Sequence, residues 1–198
     1  KFMGSLKDVP ARTLAVTAGK EAIKRAGVDP STIDEIVMGQ VYQHMQDSLP
    51  ARAVGLACGL PYRSAAMVVN QNCSSAMRAL EIAANKIMIG KTEIALVVGV
   101  ENMSRVPYML PNARAGYRMG SGELVDALLH DALYDALVPG HMGMTAENVA
   151  QEYGITREEC DQLALMSHQR AGKAIESGVF TEEIVPVEIK TKKGVEYY

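Results

Sequence analysis

Apolar positions in residues 8–100 follow two alternating patterns. Apolar residues at three- and four-residue spacing predict helices, and short apolar runs rich in β-branched residues predict strands. The predicted helices span residues 8–26, 48–58 and 75–89, and the predicted strands span residues 35–42, 65–69 and 93–100. This order of helix and strand predicts a layered α/β domain. The last strand is apolar throughout, which is typical of a strand covered on both faces.

The first two helices share a start signal. Asp8 precedes Pro10, and Ser48 precedes Pro50 in the same way. A short polar side chain can cap a helix, and proline fits its first turn, so we expect Asp8 and Ser48 to act as caps. Gly27 is placed to end the first helix.

The pattern changes after residue 100. Residues 101–123 form a long, irregular and locally basic loop, and loops of this length are usually functional or interfacial. Beyond it we predict short helices at 123–129 and 145–153, a helix of about 20 residues after a Thr156–Glu159 capping box, a strand at 183–190 and a hairpin turn at 192–194.

Composition excludes several classes of protein. The chain has 198 residues, 48% of them apolar, which is enough to bury a substantial core. Its net charge of −3 argues against general nucleic-acid binding. No apolar run approaches the roughly 18 residues of a membrane span, and the first residues do not form a signal peptide. We therefore expect neither a nucleic-acid nor a membrane partner.

The cysteines indicate the compartment. Cys58, Cys73 and Cys160 are an odd number without a CxxC spacing, which predicts neither a disulfide framework nor a metal site. The expected protein is cytoplasmic, with reduced thiols. Because the sequence starts at Lys1 and ends at Tyr198 within a strand-like pattern, we expect it to be a piece of a longer protein.

Cys73 lies where a predicted strand is followed by a predicted helix. A helix N-terminus carries unpaired N–H groups and a partial positive charge, which stabilise a thiolate. The same N–H groups can stabilise an oxyanion formed when the sulfur attacks a carbonyl. Cysteine also packs as a small apolar residue, and the sequence setting alone leaves both interpretations open.

The helix after Cys73 has an unusually narrow polar face. Arg78, Glu81 and Asn85 form one stripe with Lys86 beside it, and the other positions are mostly apolar. A helix of this kind is buried on more than one side. We expect a second domain or a partner subunit to cover the side that faces away from the sheet.

A cysteine nucleophile needs a base, and the chain has four histidines: His44, His130, His141 and His168. Spacing does not identify which of them approaches Cys73. His141 lies in a glycine-flanked turn before a helix, and such turns can place a side chain in a cleft.

Eight short segments, spread over essentially the whole chain, match one known family in the same order. They are 39–41, 50–52, 69–75, 99–104, 107–111, 114–120, 141–150 and 167–171. On these segments the chain resembles the thiolases, the family of acetyl-CoA acetyltransferases and 3-ketoacyl-CoA thiolases. No single segment is specific, whereas the ordered series is.

The resemblance implies the N-terminal half of a five-layered α-β-α-β-α fold. Residues 1–102 correspond to a layered α-β-α domain that lacks its first strand, and residues 103–198 to part of a mostly helical loop domain. The basic loop at 101–123 corresponds to the segment that associates dimers in tetrameric members. A homo-oligomer, either dimer or tetramer, is therefore expected.

The resemblance also implies a chemistry. Thiolases make or cleave a carbon–carbon bond between acyl-CoA thioesters by a ping-pong reaction. Cys73 matches their nucleophile, which takes up the acyl group. Leu133, His141 and Met142 match residues that line the CoA and acyl pocket. Acyl-CoA and CoA are then the substrates, and no cofactor is required.

Departures from the family pattern affect this interpretation. Ala76 replaces the family's usual glycine three residues after the nucleophile and adds a methyl group where the helix approaches its neighbour. The family's activating histidine and its second cysteine belong to the C-terminal half, and neither Cys58 nor Cys160 matches that cysteine.

Two other functions remain open from the sequence. A β-ketoacyl synthase-type condensing enzyme also uses a cysteine at a strand-to-helix turn, although segment 141–150 favours a thiolase. A chain that ends at residue 198 would be a non-catalytic thiolase-like fragment. The intact mass of the source protein, near 21 kDa or about double, distinguishes the fragment from the enzyme.

Overall fold

The computed structural model describes residues 1–45, 47–137, 140–191 and 194–198. Two compact units are formed, one by residues 1–132 with 186–198 and the other by residues 133–185. The predicted domain boundary after residue 102 does not coincide with this division, and it stays a prediction. The predicted hairpin turn at 192–194 falls partly outside the described residues.

The first unit is built on a three-stranded parallel sheet, and the predicted layered α/β class is confirmed. The strands are β1 (Glu35–Gly39), β2 (Ala65–Val69) and β3 (Ala95–Gly99), arranged in the order β2-β1-β3. β1 pairs in register with both neighbours, so that Gly39, Val69 and Gly99 lie side by side. The carboxyl ends of all three strands therefore meet at one edge of the sheet.

Helices cover both faces of this sheet. They are α1 (Ala11–Ala26), α2 (Pro50–Ala57) and α3 (Ser75–Met88). Ile36 and Met38 on β1 belong to the core cluster beneath α1 and α2, whereas Val37 packs with Ala79 and Ala83 of α3 on the opposite face. Alternate residues of a strand point to opposite faces, which explains why β1 is buried along its whole length and apolar from Ile36 onward.

A buried carboxylate lies at the start of β1. The Glu35 side chain is buried, and it accepts hydrogen bonds from Lys86 of α3 and from Thr92 Oγ1 at 2.6 Å. Lys86, which the sequence placed beside the polar stripe of α3, therefore points toward the first residue of β1. Its charge offsets the cost of burying Glu35, and the pair fixes the C-terminal half of α3 on the sheet.

The two predicted side-chain caps are wrong. Pro10 and Leu49 are the N-cap residues of α1 and α2, and neither helix start has a side-chain cap. Pro50 does occupy the first turn of α2, and Gly27 ends α1 in the left-handed conformation, as expected. Exposed Asp8 lies instead 3.4 Å from Lys7 Nζ.

Most strands of the second half were not predicted, and the strand predicted at 183–190 begins only at Glu188. Short antiparallel pairs join β4 (Tyr108–Met109) to β5 (Val125–Asp126), β6 (Tyr134–Asp135) to β7 (Gly140–His141), and β8 (Glu188–Thr191) to β9 (Gly194–Tyr197). The helix predicted at 123–129 is wrong, because residues 125–126 pair with β4. A π-helical turn follows at Leu129–Leu133.

The second unit contains two helices, α4 (Met142–Tyr153) and α5 (Arg157–Glu176). The predicted capping box is confirmed: Thr156 Oγ1 accepts from Glu159 N at 3.2 Å, and Glu159 Oε2 accepts from Thr156 N at 2.8 Å. No helix in the described part of the chain is both long and apolar enough to cross a lipid bilayer.

Candidate active site

Cys73 lies in the turn between β2 and α3, at the carboxyl edge of the sheet. Its side chain is an exposed free thiol, in contrast to buried Cys58. Ser74 is the N-cap residue of α3. The sulfur therefore stands at the N-terminus of a helix of 14 residues, where the helix dipole favours negative charge. The predicted strand–turn–helix setting of Cys73 is observed.

Local hydrogen bonds shape this turn. The buried Ser75 hydroxyl donates to Asn72 O at 2.6 Å and accepts from Gln71 N at 2.9 Å. Asn72 has a positive φ of 47°, which asparagine tolerates better than most residues, and its N–H donates to Asn70 Oδ1 at 3.0 Å. These contacts fold the chain sharply back and leave Cys73 at the outside of the turn.

Two glycines allow α3 to start close to the sheet. A Cβ atom on Gly39 would lie 2.5 Å from Ala76 N, and one on Gly99 would lie 2.5 Å from the Ala76 Cβ. The methyl group that distinguishes Ala76 from the family's usual glycine thus lies directly against Gly99. Because Gly39 and Gly99 carry no side chain, the first turn of α3 can lie directly against the ends of β1 and β3. This close approach also determines the position of Cys73.

The contact between Ala76 and Gly99 predicts a compensating pair of substitutions. Gly99→Ala is expected to lower the free energy of unfolding by about 1–3 kcal/mol through overpacking. Ala76→Gly in the same protein is expected to restore most of that loss, because it removes the atom in conflict. Urea unfolding of the two single variants and the double variant measures the coupling. Strictly additive losses would contradict the contact.

Loops after β1 and β3 complete the edge beside Cys73. The Glu101 carboxylate accepts from Val41 N at 2.8 Å and from Tyr42 N at 3.3 Å. Burial raises the pKa of Glu101, and these N–H donors act in the opposite direction. The Tyr42 hydroxyl donates to Leu128 O at 2.6 Å. Sequence reasoning did not identify this group, although a carboxylate directly after a buried strand was a signal for it.

The histidines near this edge are paired with a carboxylate. His44 Nε2 lies 2.6 Å from Asp131 Oδ2, and His130 Nδ1 lies 2.7 Å from Asp131 Oδ1. The hydrogen bond from His130, followed by the contact with His44, holds the pKa of Asp131 below its usual value. Both histidines are thus engaged by one side chain. In the described ranges, no three His, Cys, Asp or Glu residues lie close enough to hold a metal ion.

Leu133, His141 and Met142 lie together in the second unit. Tyr134 on β6 pairs with His141 on β7. Leu133 directly precedes β6 and Met142 directly follows β7, so the two residues lie next to this pair. His141 is exposed, Leu133 is half-buried, and the exposed fraction of Met142 is 37%. The structure therefore groups the three residues that the resemblance assigns to the CoA and acyl pocket.

The orientation of His141 is fixed by its neighbours. Its Nδ1 accepts from Gly143 N at 3.0 Å, and its ring meets the Tyr134 ring edge to face at 6.0 Å. In the neutral imidazole the proton then resides on Nε2, which is left as a donor toward solvent. His168 lies on exposed α5 and shows no such arrangement in the described contacts.

A cleft of about 450 Å³ lies elsewhere in the first unit, at the start of α1. Its lining includes Arg12, His44, Asn102 and Arg105, and it does not include Cys73. The outer face of α3 is also open, with Met77 70% and Met88 81% exposed. The prediction that a second domain or subunit covers this face therefore stays a prediction.

Comparison with known proteins extends over the whole chain. The family model of the thiolase N-terminal domain matches residues 1–198. An acetyl-CoA acetyltransferase of Cupriavidus necator is 47% identical over 194 residues, which are 98% of this chain and 49% of that protein. One from Pseudomonas aeruginosa is 42% identical over 193 residues, again 98% of this chain and 49% of the relative.

Two solved structures of proteins with the same name are also similar to this chain. The acetyl-CoA acetyltransferase of Syntrophomonas wolfei superposes with a TM-score of 0.96 at 55% identity, covering 100% of this chain and 49% of that one. The Bacillus anthracis acetyl-CoA acetyltransferase gives 0.95 at 41% identity, covering 100% and 50%. The predicted fold is confirmed. The chain spans about half the length of the relatives that it matches.

Proposed function

Because the chain belongs to the thiolase family and corresponds to its N-terminal domain, we propose that it supplies the nucleophile of an acyl-CoA C-acyltransferase. The reaction forms or cleaves 3-ketoacyl-CoA, for example by converting two acetyl-CoA into acetoacetyl-CoA and CoA. The observation that carries this proposal is the exposed Cys73 thiol at the start of α3.

The proposed first half-reaction acylates Cys73. Its thiolate attacks the thioester carbonyl, and the bond between that carbonyl and the CoA sulfur breaks. CoA leaves and takes up a proton, and the acyl group remains on Cys73. We propose that the backbone N–H of Cys73 contributes to stabilising the oxyanion of the tetrahedral intermediate, because the N–H groups of Ser74 and Ser75 already donate to Gln71 O and Asn72 O.

The proposed second half-reaction regenerates the free Cys73 thiolate. The deprotonated α-carbon of a second acyl-CoA attacks the acyl group, a carbon–carbon bond forms, and the Cys73 thiolate leaves. In the cleavage direction free CoA accepts the acyl group instead. We propose that the protons of both steps are moved by groups that correspond to the half of the relatives that this chain does not match.

We assign substrate binding to Leu133, His141 and Met142. Half-buried Leu133 and exposed Met142 offer apolar surface for the pantetheine arm and the acyl chain. The Nε2 donor of His141 is available for a carbonyl oxygen, since its Nδ1 is engaged by Gly143 N. No metal or cofactor takes part in the proposed chemistry, and acyl-CoA and CoA are its substrates.

Assembly and location are part of the same proposal. The exposed apolar side chains of α3 and the basic loop at 101–123 favour a homo-oligomer, either dimer or tetramer. A cytoplasmic enzyme is proposed because its cysteines are free thiols. The names of the relatives favour a thiolase over a condensing enzyme of the β-ketoacyl synthase type.

Acetylation of Cys73 tests the proposal directly. The intact protein is incubated with acetyl-CoA, quenched in acid, digested and analysed by mass spectrometry. We expect an increase of one acetyl group on the Cys73 peptide, because this thiol is exposed at a helix N-terminus. Exposed Cys160 serves as the internal control for unspecific acetylation. Acetyl on Cys160 with none on Cys73 would contradict the assignment.

A further inference from the structure

The Glu101 carboxylate, in the loop after β3, holds the loop after β1 at the carboxyl edge of the sheet. Glu101 accepts from the backbone N–H groups of Val41 and Tyr42, as described above. Gln40 N also donates to Val69 O at 3.1 Å, at the end of β2. Residues 40–42 are therefore fixed to the same edge from which the Cys73 turn emerges.

The same loop holds a distant segment through two side chains. Tyr42 Oη donates to Leu128 O at 2.6 Å, and His44 Nε2 meets Asp131 Oδ2 at 2.6 Å. These contacts bridge 86 and 87 residues of sequence. The segment from 126 to 131, here called the anchored segment, is thus tied at two points three residues apart.

Burial makes the tyrosine contact specific. Tyr42 is only 4% exposed, so a hydroxyl without a partner there would pay a desolvation cost. Ala127, inside the anchored segment, is completely buried, and its N–H donates to Pro107 O at 3.3 Å. A π-helical turn begins at Leu129, and such turns are frequent at functional sites.

The loop that holds the anchored segment starts at the same edge of the sheet as the turn that carries the nucleophile. Gln40 N donates to Val69 O at 3.1 Å, so the loop that contains Tyr42 and His44 begins beside the last residue of β2. Cys73 follows four residues after Val69, in the turn that leads to α3. The hydroxyl that holds Leu128 therefore belongs to a loop that begins next to the Cys73 turn.

From these contacts we infer that Tyr42 and the His44–Asp131 pair are positioning residues that hold the anchored segment as one wall of the acyl-CoA site beside Cys73. This inference rests on the proposed function. Neither Tyr42 nor His44 touches the reacting atoms in this role. They fix where the substrate lies, so their loss weakens substrate binding and leaves the chemical step nearly unchanged.

The test compares Tyr42→Phe with Tyr62→Phe in the intact protein. Tyr42→Phe removes only the hydroxyl that binds Leu128, and Tyr62 is 84% exposed and serves as the matched control. Loss of one buried hydrogen bond is expected to raise KM for acetyl-CoA about 3- to 10-fold, with kcat within about twofold of wild type. Tyr62→Phe should leave both constants unchanged.

A measurement independent of turnover examines the anchor itself. Amide hydrogen exchange of residues 127–131 should become about 3- to 10-fold faster in Tyr42→Phe than in Tyr62→Phe, since the segment opens more often. His44→Ala should give the same pattern, and His44→Gln, which retains a side-chain N–H donor, should partly restore it. A structural defect that spreads through the unit would instead accelerate exchange in β1 and α3 as well.

The outcomes separate this inference from the proposed function. A wild-type protein that takes no acetyl on Cys73 would overturn both. An acetylated wild type whose Tyr42→Phe variant retains its KM and its exchange rates overturns the anchor alone. A Tyr42→Phe variant with a large loss of kcat and an unchanged KM also overturns it, because the tyrosine would then act in the chemical step.

Discussion

Cys73→Ser is expected to lower turnover of acyl-CoA by at least about 10³-fold in the intact protein. The proposed reaction requires an ionised side chain at this position, and a serine hydroxyl is far less ionised than a thiol at neutral pH. In the wild type the N-terminus of α3 stabilises the Cys73 thiolate, whereas a serine at this position stays a neutral hydroxyl. Initial rates of 3-ketoacyl-CoA cleavage, with CoA in excess, measure the effect.

Cys160→Ser is the matched control for this substitution. Cys160 is also an exposed free thiol, but it lies on α5 rather than at a helix start. We expect its rate to remain within about twofold of wild type, as is usual for surface substitutions away from a site. Because Cys73 is exposed, serine there should not change the unfolding midpoint. Wild-type rates in the Cys73→Ser protein would refute the role of this sulfur.

Gly39→Ala is expected to lower the free energy of unfolding by about 3 kcal/mol, at the upper end of overpacking effects. The added methyl carbon would lie 2.5 Å from Ala76 N and from Ser75 C, both backbone atoms of α3. A flexible side chain could move aside, but a helix start can relieve this contact only by shifting as a whole. The shift would also displace Cys73, so the rate of acetylation should fall with stability.

Gly172→Ala provides the opposite control. Gly172 lies within α5, and a Cβ atom there would meet no atom within 4 Å. Alanine in a helix is favoured over glycine by roughly 0.5–1 kcal/mol, so this variant should be slightly more stable than wild type. Urea unfolding followed by circular dichroism compares the two variants. Equal stability of Gly39→Ala and wild type would mean that α3 does not start where described.

Local patterns predicted the elements whose stability depends on neighbours in sequence. Strands β1 to β3 and helices α1 to α3 lie where the periodicity placed them, although β1 ends at Gly39 rather than at residue 42. The capping box that begins α5 was readable because Thr156 and Glu159 bind each other. Position 73 could be singled out for the same reason, since a strand–turn–helix boundary is a local feature.

Contacts between distant segments were the source of one error. Residues 123–129 have helix-like spacing, but Val125 and Asp126 instead pair with Tyr108 and Met109, and no local signal indicates that pairing. A propensity for local structure is easily outweighed by nonlocal pairing of this kind. The error at Asp8 has a local cause instead, because α1 starts at Ala11 with Pro10 as its N-cap residue, two residues after Asp8.

The sequence by itself determined the layered α/β class, the family, and the placement of Cys73 at a helix start, because each of these is encoded in adjacent residues or in an ordered series of motifs. Only the tertiary structure decided how close α3 approaches the sheet and which side chains hold the loops at the sheet edge where Cys73 lies. Gly39 and Gly99 act through space on Ala76. Glu101 binds the backbone of Tyr42 across 59 residues of chain, and His44 meets Asp131 across 87. Such contacts depend on the packing of strands and loops around one sheet edge, which residue spacing does not specify.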